Sequence, residues 1–287
     1  MIIMIRGNIE MKMKKRIAFL LIGMLLVSLI AVGCGSEPVD QDQDEEEQDL
    51  SLEEIKEKGV FVLGLDDSFP PMGFRDDKGE IAGFDIDLAR EVAKRLDVEV
   101  ELKPIDWDGN ILSLNNKDID VIWNGLTITE SRQKEIEFSD PYLENRQIIV
   151  IQAGSDIATK QDLADKAVGV QLGSSGEEAL NAETDVVDTL KDIVKYSNYT
   201  EALLDLTAGR VEAVVIDEVV GKYYISKRPD EYAVAEDDFG DEEYGIGFRK
   251  GEFAFRDEVN RILDEIVADG TAAKISEKWF GEDIVTK

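Results

Sequence analysis

From residue 51 onward, short apolar runs alternate with longer segments whose apolar residues recur at helical spacing. Short apolar runs between turn residues are typical of buried strands. The pattern predicts strands over residues 60–65, 98–102, 119–123, 147–152, 167–171, 211–216 and 244–248. It predicts helices over residues 83–96, 107–116, 199–208, 218–225, 253–268 and 271–279, and others beginning near Thr129 and Ser174. This alternation indicates an α/β fold with parallel-rich sheets flanked by helices.

The segment 83–96, GFDIDLAREVAKRL, has the clearest two-sided pattern. One face carries an apolar stripe formed by Phe84, Leu88, Val92 and Leu96. Carboxylates near the start of the segment suit the positive end of the helix dipole, and they are Asp85, Asp87 and Glu91. The stripe alone indicates only an amphipathic helix that packs on a core.

The N-terminal segment has the pattern of an export signal. Basic residues at positions 12, 14, 15 and 16 precede an apolar run over residues 17–32, followed by Gly33 and Cys34. The run is shorter than the ~20 residues that a transmembrane helix needs, which favours a cleaved signal peptide over residues 1–33. The Ala31-Val-Gly-Cys34 sequence resembles a lipobox, which implies acylation of Cys34 and attachment to the outer face of the membrane. An uncleaved signal anchor is the alternative.

Residues 34–50 contain no apolar periodicity and many carboxylates, so they are predicted to form an extended, self-repelling tether. Order is predicted to begin at Ser51, where Glu54 would complete a capping box and Gly59 would end a short helix.

Charge and composition exclude several classes of function. The chain carries 32 basic and 63 acidic residues, and loss of residues 1–33, with five basic residues and one acidic residue, leaves a net charge near −35. Such a surface repels nucleic acid and anionic lipid, so membrane attachment must come through the acylated cysteine. The chain has one cysteine, which permits no internal disulfide, and no histidine, the commonest general base. We expect no cofactor and no metal site.

The GFDIDLAREVAKRL segment resembles the signature helix of the family 3 extracellular solute-binding proteins, which serve amino-acid ABC transporters. The resemblance extends from the first strand to the terminal Lys278-Trp279-Phe280. It implies the two-lobed periplasmic-binding-protein fold (type II, Venus-flytrap), with residues 51–144 plus 242–287 as lobe 1 and residues 145–241 as lobe 2. The chain would cross between lobes near residues 143–146 and 241–243. It also implies a monomer that hands its amino acid to permease subunits.

The segment TITESR, residues 127–132, offers hydroxyl and helix N-terminal donors and a guanidinium suited to a carboxylate. The resemblance implies that Arg132 clamps the α-carboxylate of the ligand and that Gly125 and Thr127 add hydrogen bonds. The alternative is an exposed arginine in a first helical turn, which the helix dipole disfavours.

The partner of the ligand ammonium is predicted to be Asp217, which follows an apolar strand at the edge where open α/β sheets bind ligands. The resemblance implies the same role, and the alternative is an ordinary helix N-cap. Either Ser174 with Glu177, or Ser175 with Glu178, has capping-box spacing. The other serine, which we take to be Ser175, matches the second-lobe position that completes carboxylate binding in the family.

Ligand specificity is expected from the first loop. The resemblance implies that Asp66 reads a polar or cationic side chain and that the rings of Phe69 and Trp107 sandwich its stem. Core packing is the alternative for both rings, and it explains Trp107 as well as the ligand role does, whereas the ligand role is favoured for Phe69. Asn124 and Gln171 also line the predicted pocket and differ from residues in some binders of basic amino acids. Basic amino acids, glutamine, another polar amino acid and cystine therefore all stay open.

Two other function classes are consistent with the fold. The same fold hosts a few dehydratases of prephenate-like acids, but the sequence singles out no carboxylate pair for acid and base catalysis. A ligand-sensing lipoprotein that serves a separate receptor is the other alternative. We expect a binding protein that captures a polar or basic amino acid outside the cytoplasm and is not an enzyme.

Overall fold

The computed structural model describes residues 48–286, and helices alternate with strands throughout. The strands are β1 (Val60–Leu65), β2 (Ser68–Phe69), β3 (Gly73–Arg75), β4 (Ile81–Ala82), β5 (Glu99–Pro104), β6 (Val121–Thr127), β7 (Ile136–Phe138), β8 (Leu143–Gln152), β9 (Ala167–Gln171), β10 (Asp192–Tyr196), β11 (Ala213–Asp217) and β12 (Tyr232–Arg249). The helices are α1 (Ser51–Lys58), α2 (Phe84–Leu96), α3 (Asn110–Asn115), α4 (Glu130–Gln133), α5 (Ser175–Ala182), α6 (Thr184–Val187), α7 (Tyr199–Thr207), α8 (Glu218–Lys227), α9 (Phe253–Ala268) and α10 (Thr271–Phe280). Turns of 3-10 helix form at Trp107–Gly109 and Lys160–Leu163.

A nine-stranded sheet connects the described residues in the order β10-β9-β11-β8-β12-β6-β1-β5, and β7 also pairs with β12. One end, β6-β1-β5, is parallel, and so is the other end, β10-β9-β11. An antiparallel pair, β8 with β12, joins the two ends. Helices flank both parallel groups, which confirms the predicted α/β fold class.

The antiparallel pair is where the chain passes between the two parallel groups. Asn145 lies opposite Glu242, and Arg146 lies opposite Asp241, in the register of β8 and β12. Side chains opposite each other on paired strands project from the same face of the sheet. The predicted crossings at residues 143–146 and 241–243 are therefore neighbours in one ladder. The lobe boundaries proposed from the sequence stay a prediction.

Helix α2 packs its predicted stripe into the core. Phe84, Leu88, Val92 and Leu96 are all buried. Burial of each such side chain stabilises the fold by about 1.5–3 kcal/mol. Asp85 is also fully buried, which the charge pattern did not predict.

Several predicted boundaries differ from the structure. The helix N-cap before α1 is Leu50, so the predicted capping box at Ser51 is wrong. The Ser51 hydroxyl instead accepts a hydrogen bond from the Phe255 N–H at 3.1 Å, which ties α1 to α9. Strand β6 continues to Thr127, beyond its predicted end. All seven of its residues are buried, so the sequence shows no alternation of apolar and polar residues from which the end could be predicted.

The signal peptide, Cys34 and most of the acidic tether lie outside the described residues. Between residues 48 and 286, no helix combines the length and apolar character needed to cross a bilayer.

Candidate functional site

All eleven residues predicted to line the ligand site are buried. They come from the ends of strands β1, β6, β9 and β11, from β2, from the beginnings of α4 and α5, and from the turn before α3. Strand ends and helix N-termini meet at this edge of an α/β sheet and carry unpaired backbone donors and acceptors. The structure therefore brings the predicted residues into one region.

The carboxylate of Asp66 connects the two sides of the site. It accepts hydrogen bonds from the Ser68 N–H at 2.9 Å and from the side-chain amide of Gln171 at 2.7 Å. The Asp66 N–H donates to the side-chain carbonyl of Asn124 at 2.9 Å. Burial raises the pKa of Asp66 above its ordinary value. A cation beside this carboxylate would favour its ionised form.

Aromatic rings form one wall of the region. The rings of Phe69 and Trp107 are nearly parallel, with an interplanar angle of 11° and centroids 6.4 Å apart. The Tyr199 ring lies 5.9 Å from that of Phe69. A planar group between two rings needs about 7–8 Å, two van der Waals contacts, so the Phe69 and Trp107 rings would have to separate slightly to sandwich a ligand. Both rings also pack in the apolar core.

The guanidinium of Arg132 is buried, so the alternative of an exposed arginine is wrong. It donates to the backbone carbonyls of Thr127 at 2.8 Å and Gly173 at 3.1 Å. No carboxylate within residues 48–286 forms an ion pair with Arg132 at 4.0 Å or less. Burial lowers the pKa of Arg132, because removal from water disfavours the charged form. A buried charge without an ionic partner is costly, and a carboxylate would reduce that cost.

Asp217 ends β11 and precedes α8, but its side chain makes no capping hydrogen bond in the described structure. Asp217 therefore occupies the N-cap position without capping the helix through its side chain, and Asn145 accepts from the Val219 N–H at 3.4 Å instead. The Asp217 carboxylate accepts from the Tyr244 hydroxyl at 2.7 Å and from the Asn145 amide at 3.0 Å. Burial, and then the neighbouring charge of Glu242, raise the pKa of Asp217 well above its usual range.

Of the two serines with capping-box spacing, Ser174 is the one that caps the helix. Ser174 is the N-cap of α5 and accepts from the Glu177 N–H at 3.0 Å. The Ser175 hydroxyl lies 2.9 Å from that of Thr127, which belongs to the other predicted lobe. Ser175 is therefore the serine that faces the candidate site.

Gly125 stays a predicted ligand residue, but its N–H already has a partner within the protein. It lies in β6 with a positive φ of 60°, a conformation that glycine adopts readily. Its N–H donates to the buried carboxylate of Asp85 at 2.7 Å. Because that N–H is occupied, Gly125 cannot donate it to a ligand. A β-carbon at this position would lie 3.0 Å from the Phe69 ring, so the small residue also makes room for the aromatic wall.

Sequence reasoning missed the residue at the centre of the region. One carboxylate oxygen of Glu242 accepts from the side-chain amides of Asn145 at 2.6 Å and Gln147 at 2.8 Å and from the Thr127 hydroxyl at 2.9 Å. The acidic run before Tyr244 looks like a solvated loop. The signal was the two-residue period of a strand, which places Glu242 on the same face as the buried Tyr244.

Four polar groups of this region have no hydrogen-bond partner among residues 48–286: the Asn124 side-chain N–H₂, the side-chain carbonyls of Gln147 and Gln171, and the Tyr199 hydroxyl. Buried polar groups are normally paired, because an unpaired one costs about 1–3 kcal/mol. These groups therefore mark a surface that is suited to a polar ligand.

The fold and the site define a class of protein that binds a small polar solute between two lobes. The chain matches the model of the bacterial extracellular solute-binding proteins, family 3, over residues 61–282 and belongs to that family. The predicted resemblance is thus confirmed. The protein is an extracytoplasmic solute-binding protein rather than an enzyme.

Known relatives support the same class. The L-cystine-binding protein TcyJ of Escherichia coli (strain K12) is 37% identical over 235 residues, which cover 81% of this chain and 87% of that protein. A histidine-bound ABC uptake transporter substrate-binding protein from Streptococcus pneumoniae superposes with a TM-score of 0.80 at 34% identity, over 83% of this chain and 99% of that one. An ancestral arginine-binding protein bound to arginine gives a TM-score of 0.73 at 43% identity, over 78% and 99% of the two chains.

Proposed function

We propose that the protein binds an amino acid with a polar or basic side chain and delivers it to the permease of an ABC transporter. The observation that carries this proposal is that one hydrogen-bonded cluster links Arg132 to Asp217. Both residues are buried, and Arg132 has no ion-pair partner among the described residues. Arg132 donates to the Thr127 carbonyl, and the Thr127 hydroxyl donates to Glu242, which shares the Asn145 amide with Asp217. A zwitterionic amino acid would supply a carboxylate to Arg132 and an ammonium to Asp217.

In the proposed complex, the planar guanidinium of Arg132 holds the α-carboxylate through two parallel hydrogen bonds. The carboxylate of Asp217 holds the α-ammonium. Both contacts are made only when the predicted lobes are together, so the ligand has a higher affinity for the closed arrangement and shifts the equilibrium towards it. The closed arrangement is supported by direct contacts between the predicted lobes, including Asp66 with Gln171 and Ser131 with Glu178.

We further propose that the ligand side chain is cationic. Three carboxylates of the site, those of Asp66, Asp217 and Glu242, are buried or half-buried, whereas the predicted ligand residues include a single guanidinium, that of Arg132. A neutral zwitterion leaves this excess of negative charge unchanged, whereas a basic amino acid reduces it. The unpaired carbonyl of Gln171 beside Asp66 adds an acceptor for a donor-rich head group. Histidine- and arginine-bound structures among the neighbours are consistent with this choice.

Localisation and assembly complete the proposal. We propose that residues 1–33 are a cleaved signal peptide and that Cys34 is acylated. Residues 34–50 would then tether a monomeric protein to the membrane, on the outer face of the cell or in the periplasm. Residues 51–144 with 242–287, and residues 145–241, would form the two lobes. A Cys34→Ser variant should leave the membrane fraction, and retention of that variant in the membrane would contradict the lipid anchor.

Isothermal titration calorimetry of the purified protein with individual amino acids tests the proposed ligand. We expect L-arginine, L-lysine or L-histidine to bind more tightly than L-glutamine and L-cystine, and L-glutamate not to bind. Agmatine, which resembles arginine without its carboxylate, is the matched control and should bind far more weakly than L-arginine. Absence of heat with every amino acid would refute the function, and a preference for a neutral amino acid would refute only the cationic side chain.

A further inference from the structure

The carboxylate of Glu242 controls where the hydroxyl hydrogens of the site point. An ionised carboxylate only accepts hydrogen bonds, so the Thr127 hydroxyl, 2.9 Å away, must donate to it. The Ser175 hydroxyl, 2.9 Å from that of Thr127 and 3.5 Å from the same Glu242 oxygen, then donates to one of these two oxygens. The Ser175 oxygen itself accepts from the Gln147 amide at 3.1 Å. Each hydroxyl has one hydrogen, and both are used within this chain of hydrogen bonds.

This arrangement changes what the two hydroxyls can offer a ligand. With their hydrogens committed, Thr127 and Ser175 have no hydroxyl donor for the α-carboxylate. The Thr127 oxygen keeps a lone pair. Glu242 links it to Asp217, because the Thr127 hydroxyl donates to Glu242 and the Asn145 amide donates to both Glu242 and Asp217, at 2.6 and 3.0 Å. A hydroxyl oxygen and a carboxylate together form a site for an ammonium, which has several hydrogens to donate. The carboxylate of the ligand is left to Arg132 and to backbone N–H groups.

We propose that Glu242 is a positioning residue that turns the Thr127 hydroxyl into an acceptor for the α-ammonium of the ligand. Glu242 acts through Thr127 and does not itself touch the ligand. The inference rests on the proposed amino-acid function and deepens it, because it makes a primary α-ammonium a requirement for tight binding.

Two other roles for Glu242 would leave different traces. If Glu242 only ties β12 to β8, its removal would weaken binding of every ligand equally and would do so with or without the Thr127 hydroxyl. If Glu242 instead occupies the place of the ligand carboxylate and competes with it, its removal would strengthen binding. The three roles are therefore separated by the direction of the change and by its dependence on Thr127.

The test is a double-mutant cycle measured by titration calorimetry with L-arginine as the probe. We expect Glu242→Ala to raise the Kd for L-arginine by about tenfold or more, since it removes the charged acceptor that orients the hydroxyl. In a Thr127→Val background the same substitution should change the Kd less than about twofold. Glu242→Gln should restore most of the affinity, because its carbonyl still accepts the Thr127 hydrogen. Glu243→Ala, an exposed carboxylate one position along β12, is the matched control and should bind as the wild type does.

A second probe, desamino-arginine, lacks the α-ammonium, and its Kd should be nearly the same for Glu242→Ala and the wild type. Equal losses for both probes, additive effects with Thr127→Val, or tighter binding by Glu242→Ala would each overturn the positioning role. A wild-type protein that binds no L-arginine would overturn the proposed cationic ligand and this inference together. Normal arginine binding with an additive cycle would overturn the inference alone.

Discussion

Arg132 is the residue whose replacement should weaken binding most. The residue is 7% exposed, and its guanidinium donates to two backbone carbonyls, those of Thr127 and Gly173. Those contacts fix the plane of the guanidinium without neutralising its charge. The proposed ligand carboxylate supplies the missing charge through two hydrogen bonds at once. Arg132→Ala would therefore leave that carboxylate buried and unpaired.

The expected magnitude follows from this geometry. Breaking a buried ion pair by removing one partner costs about 3–5 kcal/mol, which corresponds to a rise in Kd of about 10²–10⁴-fold. At a ligand concentration of about 100 times the wild-type Kd, binding stabilises the wild type by about 2.7 kcal/mol. For a protein of this size that is a rise in Tm of roughly 5–10 °C. A thousandfold weaker variant would gain only about 0.06 kcal/mol under the same conditions, so its Tm shift would disappear.

Calorimetry and thermal unfolding with and without ligand measure both quantities. Arg261→Ala is the matched control, since it makes the same change in net charge at an exposed arginine that pairs with Glu258 and Glu265 on α9. We expect that control to keep the wild-type Kd and Tm shift. If Arg132→Ala folds normally and binds the amino acid as tightly as the wild type, the carboxylate clamp is wrong.

Three further substitutions test other parts of the site. Asp66→Asn should weaken binding of L-arginine at least about tenfold more than binding of L-glutamine, and equal losses in calorimetry would remove Asp66 from side-chain recognition. Gly173→Ala would place a β-carbon 2.9 Å from the Asp108 backbone, so small-angle scattering with saturating ligand should show a more open particle than the wild type. Burial raises the pKa of Asp85 from 3.8 to about 7, so the folded state holds a proton that the unfolded chain releases and the free energy of unfolding falls as pH rises through this range. Asp85→Asn should reduce this fall in denaturant titrations at pH 4 to 7, and an unchanged pH profile would show that Asp85 does not titrate there.

The sequence predicted most regular elements because their periodicity reflects which face is buried. Helix α9 has the predicted bounds, and β1 and β9 do as well. The long strand β12 escaped prediction before Tyr244, because its acidic residues resemble a solvated loop and its pairing partner β8 is distant in the chain. Non-local pairing of this kind leaves no local pattern in the sequence.

The candidate site likewise contains residues that local sequence patterns reveal and residues that depend on non-local contacts. Arg132 and Asp217 could be proposed from a charged side chain at a helix start and a carboxylate at a strand end. Glu242 could not, because its importance comes from amides of β8 and a hydroxyl of β6, which only the folded sheet brings to it. The occupied N–H of Gly125 was equally invisible, since its partner Asp85 lies on a separate helix.

The position of β12 in the sheet has a consequence for how the protein is made. This strand comes last in the chain and yet lies between β8 and β6, so it joins the two parallel groups. A growing polypeptide that has reached only α8 therefore lacks the piece that unites its halves. Such a chain cannot close the nine-stranded sheet until β12 has been synthesised, so the two parallel groups become one sheet only late in synthesis.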